Sequence, residues 1–135
     1  MSVLVLVVDD EPDIEALFRQ QFRRDVKAGR FDLEFATSGE QALTIVVEAR
    51  ERDIILLLSD VNMPGMGGFD LLRRVKEQRP DLPVIMITAY ADPQTRRRAL
   101  EQGADDLLPK PVDFASVRAE VDRRLASWTG GKPAP

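Results

Sequence analysis

The 135-residue chain contains no cysteine and no histidine. The first absence excludes disulfides, thiolate catalysis and zinc–thiolate sites, and it fits a reducing compartment. The second excludes imidazole general-base chemistry and any phosphohistidine carried by the chain itself. Long apolar runs are missing too. The longest, Val3 to Val8, falls far short of the ~20 residues of a membrane span, and it lacks the basic flank and cleavage site of a signal peptide. An excess of positive charge is likewise absent: 19 Lys+Arg against 23 Asp+Glu leave a net charge of -4. No basic field exists to hold nucleic-acid phosphates or an anionic membrane. The expectation is a cytoplasmic protein with no direct nucleic-acid or membrane contact.

What is present suits one compact domain. At 44% hydrophobic the chain can bury a core, and it is too short for two ordinary domains. Residues 1–128 are expected to form the domain, and 129–135, "TGGKPAP", a flexible C-terminal tail or linker stub. Short β-branched or aliphatic runs alternate with amphipathic stretches. Val3 to Val8, Phe31 to Ala36, Ile54 to Leu58, Pro83 to Thr88 and the brief Leu107-Leu108 read as strands. Between them, Ile14, Leu17, Phe18 and Phe22 share one helical face, as do Phe69, Leu72 and Val75. Phe114, Val117, Val121, Leu125 and Trp128 form a last apolar stripe from about Asp113 onward. Ser38 with Gln41 reads as a capping box, Asp92 before Pro93 as a helix start, and Gly103 as a helix stop. Strict alternation of this kind predicts an α/β, flavodoxin-like doubly wound (βα)5 parallel sheet, strand order 2-1-3-4-5, with helices on both faces.

In such a fold every strand's carboxyl end lies on one edge, where ligands bind. The unusual polar residues sit at those ends: Asp9, Asp10 and Glu11 after the first strand, Asp60 after the third, Thr88 and Ala89 after the fourth, and Lys110-Pro111 after the fifth. Taken singly, each has a plain structural account as a solvated turn, a helix start or a strand terminus. Together they describe a site. Converging carboxylates repel unless a proton or cation is shared, and oxygen ligands of this kind suit Mg²⁺. Lys110 and the Thr88 hydroxyl would meet phosphoryl oxygens from the other side. Without histidine or cysteine, the nucleophiles left for a covalent phosphoryl intermediate are carboxylates and hydroxyls, and Asp60 lies central among them. "GMGGFD" is not a phosphate-cradling loop, because no Gly-Lys-Ser/Thr follows; its glycines suit a tight turn after Asp60.

Asp9-Asp10, "SDVNMPGMGG", "ITAYAD" and "LLPKPVD", in this order and spacing from about Val3 to Leu125, resemble the receiver domain of two-component response regulators. The resemblance implies a signalling switch rather than an enzyme, one that catalyses only its own phosphorylation and slow autodephosphorylation. A partner sensor histidine kinase or histidine phosphotransfer protein would donate phosphoryl to Asp60. Asp10, Asp60 and the Asn62 carbonyl would ligate Mg²⁺, with Asp9 acting mainly through water. Thr88 would turn toward the phosphoryl group, Ala89 and Val61 would offer backbone N–H groups, and Lys110 would pair with the phosphate. The Lys110-Pro111 bond would be cis. The face made by the fourth helix, fifth strand and fifth helix would shift to control an output domain or partner, and would be the surface for any homodimer.

Two positions depart from the family's pattern. Leu107 stands three residues before the lysine, where many receivers carry Tyr or Phe, and Pro109 directly precedes Lys110. Arg96-Arg97-Arg98 reads as a solvated face, with Asp105 and Asp106 placed for pairing across a dimer. Two other classes compete. A haloacid-dehalogenase-type phosphatase would need a second Asp where this chain has Asn62, and a vestigial interaction module would show no response to Mg²⁺.

Overall fold

The computed structural model describes residues 3–49 and 53–128, so the expected tail at 129–135 lies outside the described residues. Strands and helices alternate as β1 (Val3–Val8), α1 (Pro12–Gln21), α2 (Arg23–Lys27), β2 (Asp32–Ala36), α3 (Gly39–Glu48), β3 (Asp53–Asp60), α4 (Gly68–Gln78), β4 (Val84–Thr88), α5 (Pro93–Glu101), β5 (Asp106–Pro109) and α6 (Phe114–Ser127). The strands form one parallel sheet in the order β2-β1-β3-β4-β5, the doubly wound arrangement expected.

Alternation along the strands divides the core in two. Leu4, Leu6, Val8, Val84 and Met86 meet Ala42 and Val46 of α3, Leu71, Leu72 and Val75 of α4, and Ala99 of α5 on one face. Val3, Val5, Val7, Ile85 and Ile87 meet Phe18 of α1 and Val117 and Val121 of α6 on the other. The few aromatics concentrate on that second face, where Phe18 and Phe114 pack edge to face with centroids 5.0 Å apart and Phe22, Phe31 and Phe35 close around them.

The central strand carries an irregularity that matters for the site. Leu4 pairs with Ile54 but Val5 with Leu56, so one extra residue, Ile55, enters β3. Ile55 and Leu56 consequently both belong to the second face, and alternation resumes at Leu57. Beyond the shift Val8 pairs with Ser59, which brings Asp9 and Asp60 level as the next residue of each strand. Without it, Asp9 would stand beside Ser59.

Among the described residues there are six helices where five were expected. The first breaks at Phe22 (φ -110°, ψ 15°) and restarts as the short α2. Phe22 stays buried beside Phe18, while Leu17, expected on the same stripe, is 42% exposed. The restart turns Asp25 inward, where Arg118 of α6 donates to it at 2.9 Å and Arg30 also pairs with it. Burial raises the Asp25 pKa, but the hydrogen bonds and charges of Arg118 and Arg30 outweigh it and leave the carboxyl below its ordinary 3.8. A depressed acid stabilises the fold above its unfolded pKa, and that contribution fades as pH falls toward the folded value. Asp25→Asn is therefore expected to cost about 2 kcal/mol at neutral pH, less than a fully buried pair because both arginines stay partly exposed. Urea midpoints taken at neutral pH and again well below 3.8 should converge for the two proteins. A constant gap would count against the ion pair.

The helix signals are met with one change. Ser38 accepts from the Gln41 N–H at 3.1 Å, but the Gln41 side chain returns to the Thr37 N–H at 2.8 Å rather than to Ser38. Asp92 caps α5 through the Thr95 N–H at 2.7 Å, Asp113 caps α6 through the Ala115 N–H at 3.0 Å, and Gly103 (φ +103°) follows α5 in the left-handed region.

Candidate functional site

The carboxyl edge gathers the acidic residues predicted for it. Carboxylate oxygens of Asp9, Asp10 and Asp60 lie within 4.8 Å of one another. Asp10 is exposed and Asp60 buried, so the cluster runs from solvent into the end of the sheet. Lys110 reaches back from the far side of β5: its Nζ is 3.2 Å from Asp60 Oδ2, 3.4 Å from Asp9 Oδ2 and 4.0 Å from Glu11 Oε1. The Lys110-Pro111 bond is cis, as the resemblance implied.

Burial is the largest influence on Asp60 and raises its pKa, with the Asp9 charge adding to the rise; Lys110 and the Asn62 N–H pull the other way without cancelling it. On Lys110 burial acts to lower the pKa, but hydrogen bonding to Asp60 and the charges of Asp9 and Asp60 leave it raised. The lysine is thus a permanent cation at neutral pH, balancing part of the carboxylate charge. The remainder is a set of hard oxygen donors crowded on one side, which is the donor chemistry of a Mg²⁺ site.

Around this cluster, Thr88 is buried at the end of β4 and its Oγ1 accepts from the Tyr90 N–H at 3.0 Å. Ala89 follows it, exposed. Asn62 directs its N–H at Asp60 Oδ1, 3.3 Å away. Val61 requires a correction. Its N–H donates to Ile87 O at 2.9 Å as the β3–β4 pairing runs one residue past Asp60. That N–H is engaged in the sheet and turned from the cluster, whereas the Asn62 N–H already points at the carboxylate.

A sequence profile of the response regulator receiver domain matches residues 5–122. The chain belongs to this family. Among curated relatives it is 36% identical over 125 residues to the transcriptional regulatory protein ZraR of Escherichia coli O157:H7, which covers 93% of this chain and 27% of ZraR. It is 34% identical over 129 residues to the response regulator MprA of Mycolicibacterium vanbaalenii, covering 96% of this chain and 53% of MprA. The chain thus spans about a quarter to a half of these relatives. Among solved structures, a receiver domain protein from Clostridium thermocellum superposes with a TM-score of 0.80 at 27% identity, covering 92% of this chain and 94% of that one. The chemotaxis protein CheY4 of Vibrio cholerae gives 0.78 at 29% identity, covering 91% and 98%.

The receiver domain keeps its unusual Leu107 firmly inside. The side chain is 3% exposed and belongs to the first core face with Met86, Ala99 and Ala104, while its carbonyl accepts from Arg96 Nη1 at 3.2 Å. Arg96 also pairs with Asp106 at 3.0 Å, and Arg98 lies 4.0 Å over the Phe69 ring. Two of the three arginines expected to form a solvated face therefore tie α5 to β5 and α4 within the same chain. Two further contributors complete the site: Glu11, placed at the strand end from sequence but given no role there, and Gly68, which the sequence did not single out. Glu11 completes the carboxylate ring facing Lys110 and fixes Asp9 by donating its N–H to Asp9 Oδ1 at 2.9 Å. Gly68 lets α4 approach the back of Asp60: a Cβ there would stand 2.3 Å from Asp60 O. Its only signal is the glycine doublet, which reads equally well as a loose turn.

Proposed function

We propose that the receiver domain takes a phosphoryl group on Asp60 from the phosphohistidine of a sensor histidine kinase or histidine phosphotransfer protein, in a Mg²⁺-dependent reaction. The observation that carries this reading is Asp60 itself: a buried carboxylate at a strand end, flanked by two further acids and held 3.2 Å from a lysine. A carboxylate oxygen of Asp60 forms the new P–O bond as the donor's P–N bond breaks, and the departing imidazole takes up a proton. Lys110 then transfers its contact from the carboxylate to a phosphoryl oxygen, and the N–H groups of Asn62 and Ala89 supply further donors. Asp9, Asp10 and Asp60, with the Asn62 carbonyl, would hold Mg²⁺, whose charge offsets that of the acids and of the incoming phosphoryl group. Asp9 already accepts from Glu11 and faces Lys110, consistent with a ligand that acts through water.

The Thr88 hydroxyl carries the signal outward by leaving the Tyr90 N–H for a phosphoryl oxygen. The 89–92 loop then moves, and α5 follows against β5 and α6, the face that controls an output domain or partner and would serve any homodimer. With Leu107 a fixed core residue, Arg96 and Arg98 become the contacts of α5 that must yield.

The test is incubation with Mg²⁺ and acetyl phosphate, read by intact mass. Wild type should gain one phosphoryl group, a gain abolished when EDTA is added before the donor, and Asp60→Asn should gain none. An equal adduct on Asp60→Asn, or none on wild type, would overturn the proposal. Asn62 and Tyr90 flank the acyl phosphate, so substituting either should change its lifetime more than the unfolding midpoint; dephosphorylation rates unchanged from wild type in both variants would contradict that role.

A further inference from the structure

The loop 61–67, which carries Asn62 past the carboxylate cluster, is fastened from outside the site. Toward its C-terminal end the Met66 N–H donates to Glu40 Oε1 at 2.9 Å, a contact from the first turn of α3. The backbone fits closely around that contact. A Cβ on Gly39 would stand 2.8 Å from Met66 O, so the loop rests directly on the start of the helix. Gly65 adopts φ +73° with Glu40 Oε1 3.2 Å from where its Cβ would be, so the chain turns around the carboxylate. At its ends the loop is pinned by the Gly68 N–H on Val61 O at 2.9 Å and by the Asn62 N–H on Asp60 Oδ1 at 3.3 Å. Among the described residues, Glu40 supplies the side-chain hydrogen bond to the span between, where Met63 and Met66 also pack against the first core face. Hydrogen bonds from its own N–H and from that of Met66 hold its carboxyl below the usual value, so the acceptor is ionised at neutral pH.

We propose, resting on the reading of Asp60 as phosphoacceptor, that Glu40 is a positioning residue: by clamping Met66 it holds the loop so that Asn62 stays aligned for Mg²⁺ and the phosphoryl group. An acid in the first turn of α3 also suits the helix dipole, and that role alone would affect stability without reaching the metal site. The two roles separate by substitution. Glu40→Ala removes the acceptor, while Glu40→Gln keeps an oxygen for the Met66 N–H and loses the charge.

Three readouts on the whole chain test the clamp. In Glu40→Ala the Met66 amide should exchange with deuterium roughly tenfold faster, and the Mg²⁺ dissociation constant from calorimetric titration should weaken roughly tenfold, as for the loss of a group that orients a ligand. Its adduct formation with acetyl phosphate should slow at subsaturating Mg²⁺ and recover when Mg²⁺ saturates. Glu40→Gln should stay near wild type in all three. Wild-type Mg²⁺ affinity in Glu40→Ala, or a Glu40→Gln as impaired as the alanine variant, would overturn the clamp. A wild type that binds Mg²⁺ but takes no phosphoryl group would refute the phosphoacceptor reading instead, with Met66 exchange and the Mg²⁺ titration still deciding what Glu40 does.

Discussion

Lys110→Ala is expected to slow phosphoryl uptake from acetyl phosphate by roughly 10²- to 10³-fold, the loss that follows removal of one preorganised donor to developing oxyanion charge. The lysine is only 19% exposed and bridges Asp60 at 3.2 Å and Asp9 at 3.4 Å. Its charge is already oriented before the donor arrives, so no reorganisation is needed when the phosphoryl oxygens replace the carboxylates as its partners. Magnesium binding should respond in the opposite sense. Lys110 competes with a divalent ion for the same oxygens, so its removal should leave Mg²⁺ affinity unchanged or tighter. A variant that fails because it binds the ion poorly would lose both together. Arginine should restore the rate only in part, since its planar fork does not reproduce a compact ammonium in this space. Initial rates by intact mass across a Mg²⁺ series make the comparison, and a rate within twofold of wild type would remove Lys110 from the chemistry.

The acids and the lysine were legible because each follows an aliphatic run, and a parallel sheet sends all such ends to one edge. What could not be read was anything that depends on register. "DIILLLSD" is apolar without alternation, so nothing in it marks Ile55 as the extra residue that brings Asp60 level with Asp9. The same blindness misplaced Val61: only the observed pairing shows the β3–β4 ladder continuing to Ile87 and consuming its N–H. Long-range polar partners were equally hidden. Asp25 looks like an ordinary helix-surface acid, yet its partner Arg118 is 93 residues away. Arg96 is solvent-exposed as expected, yet it also reaches Asp106 and the Leu107 carbonyl. Local pattern decides which face of an element is apolar, whereas only the assembled chain decides which charged groups on the other face meet.

Gly68→Val should be the most damaging single change outside the chemistry, costing on the order of 3 kcal/mol or more, the upper part of the range for overpacking a dense site. The first atoms a Cβ would meet are Asp60 O at 2.3 Å and Val61 Cα at 2.7 Å, both backbone, with Met86 Cε at 2.8 Å behind them. The methionine end can swing aside, but the other two belong to the strand end that carries Asp60. Relief therefore requires α4 to back away from β3, opening the first core face at Leu71 and Leu72, which are almost fully buried. Gly68 does not adopt a positive φ, so its requirement is space rather than backbone freedom. Gly65→Ala provides the contrast: at φ +73° it should lose only about 1–2 kcal/mol through local strain. Urea midpoints should order wild type above Gly65→Ala above Gly68→Val, with Gly68→Ala already well below wild type. The displacement should also reach the chemistry. At temperatures where Gly68→Val remains folded, its adduct formation should stay depressed even at saturating Mg²⁺, because the Asp60 backbone itself has moved relative to Lys110. Full activity in a folded Gly68→Val protein would show that α4 can shift without carrying Asp60 along.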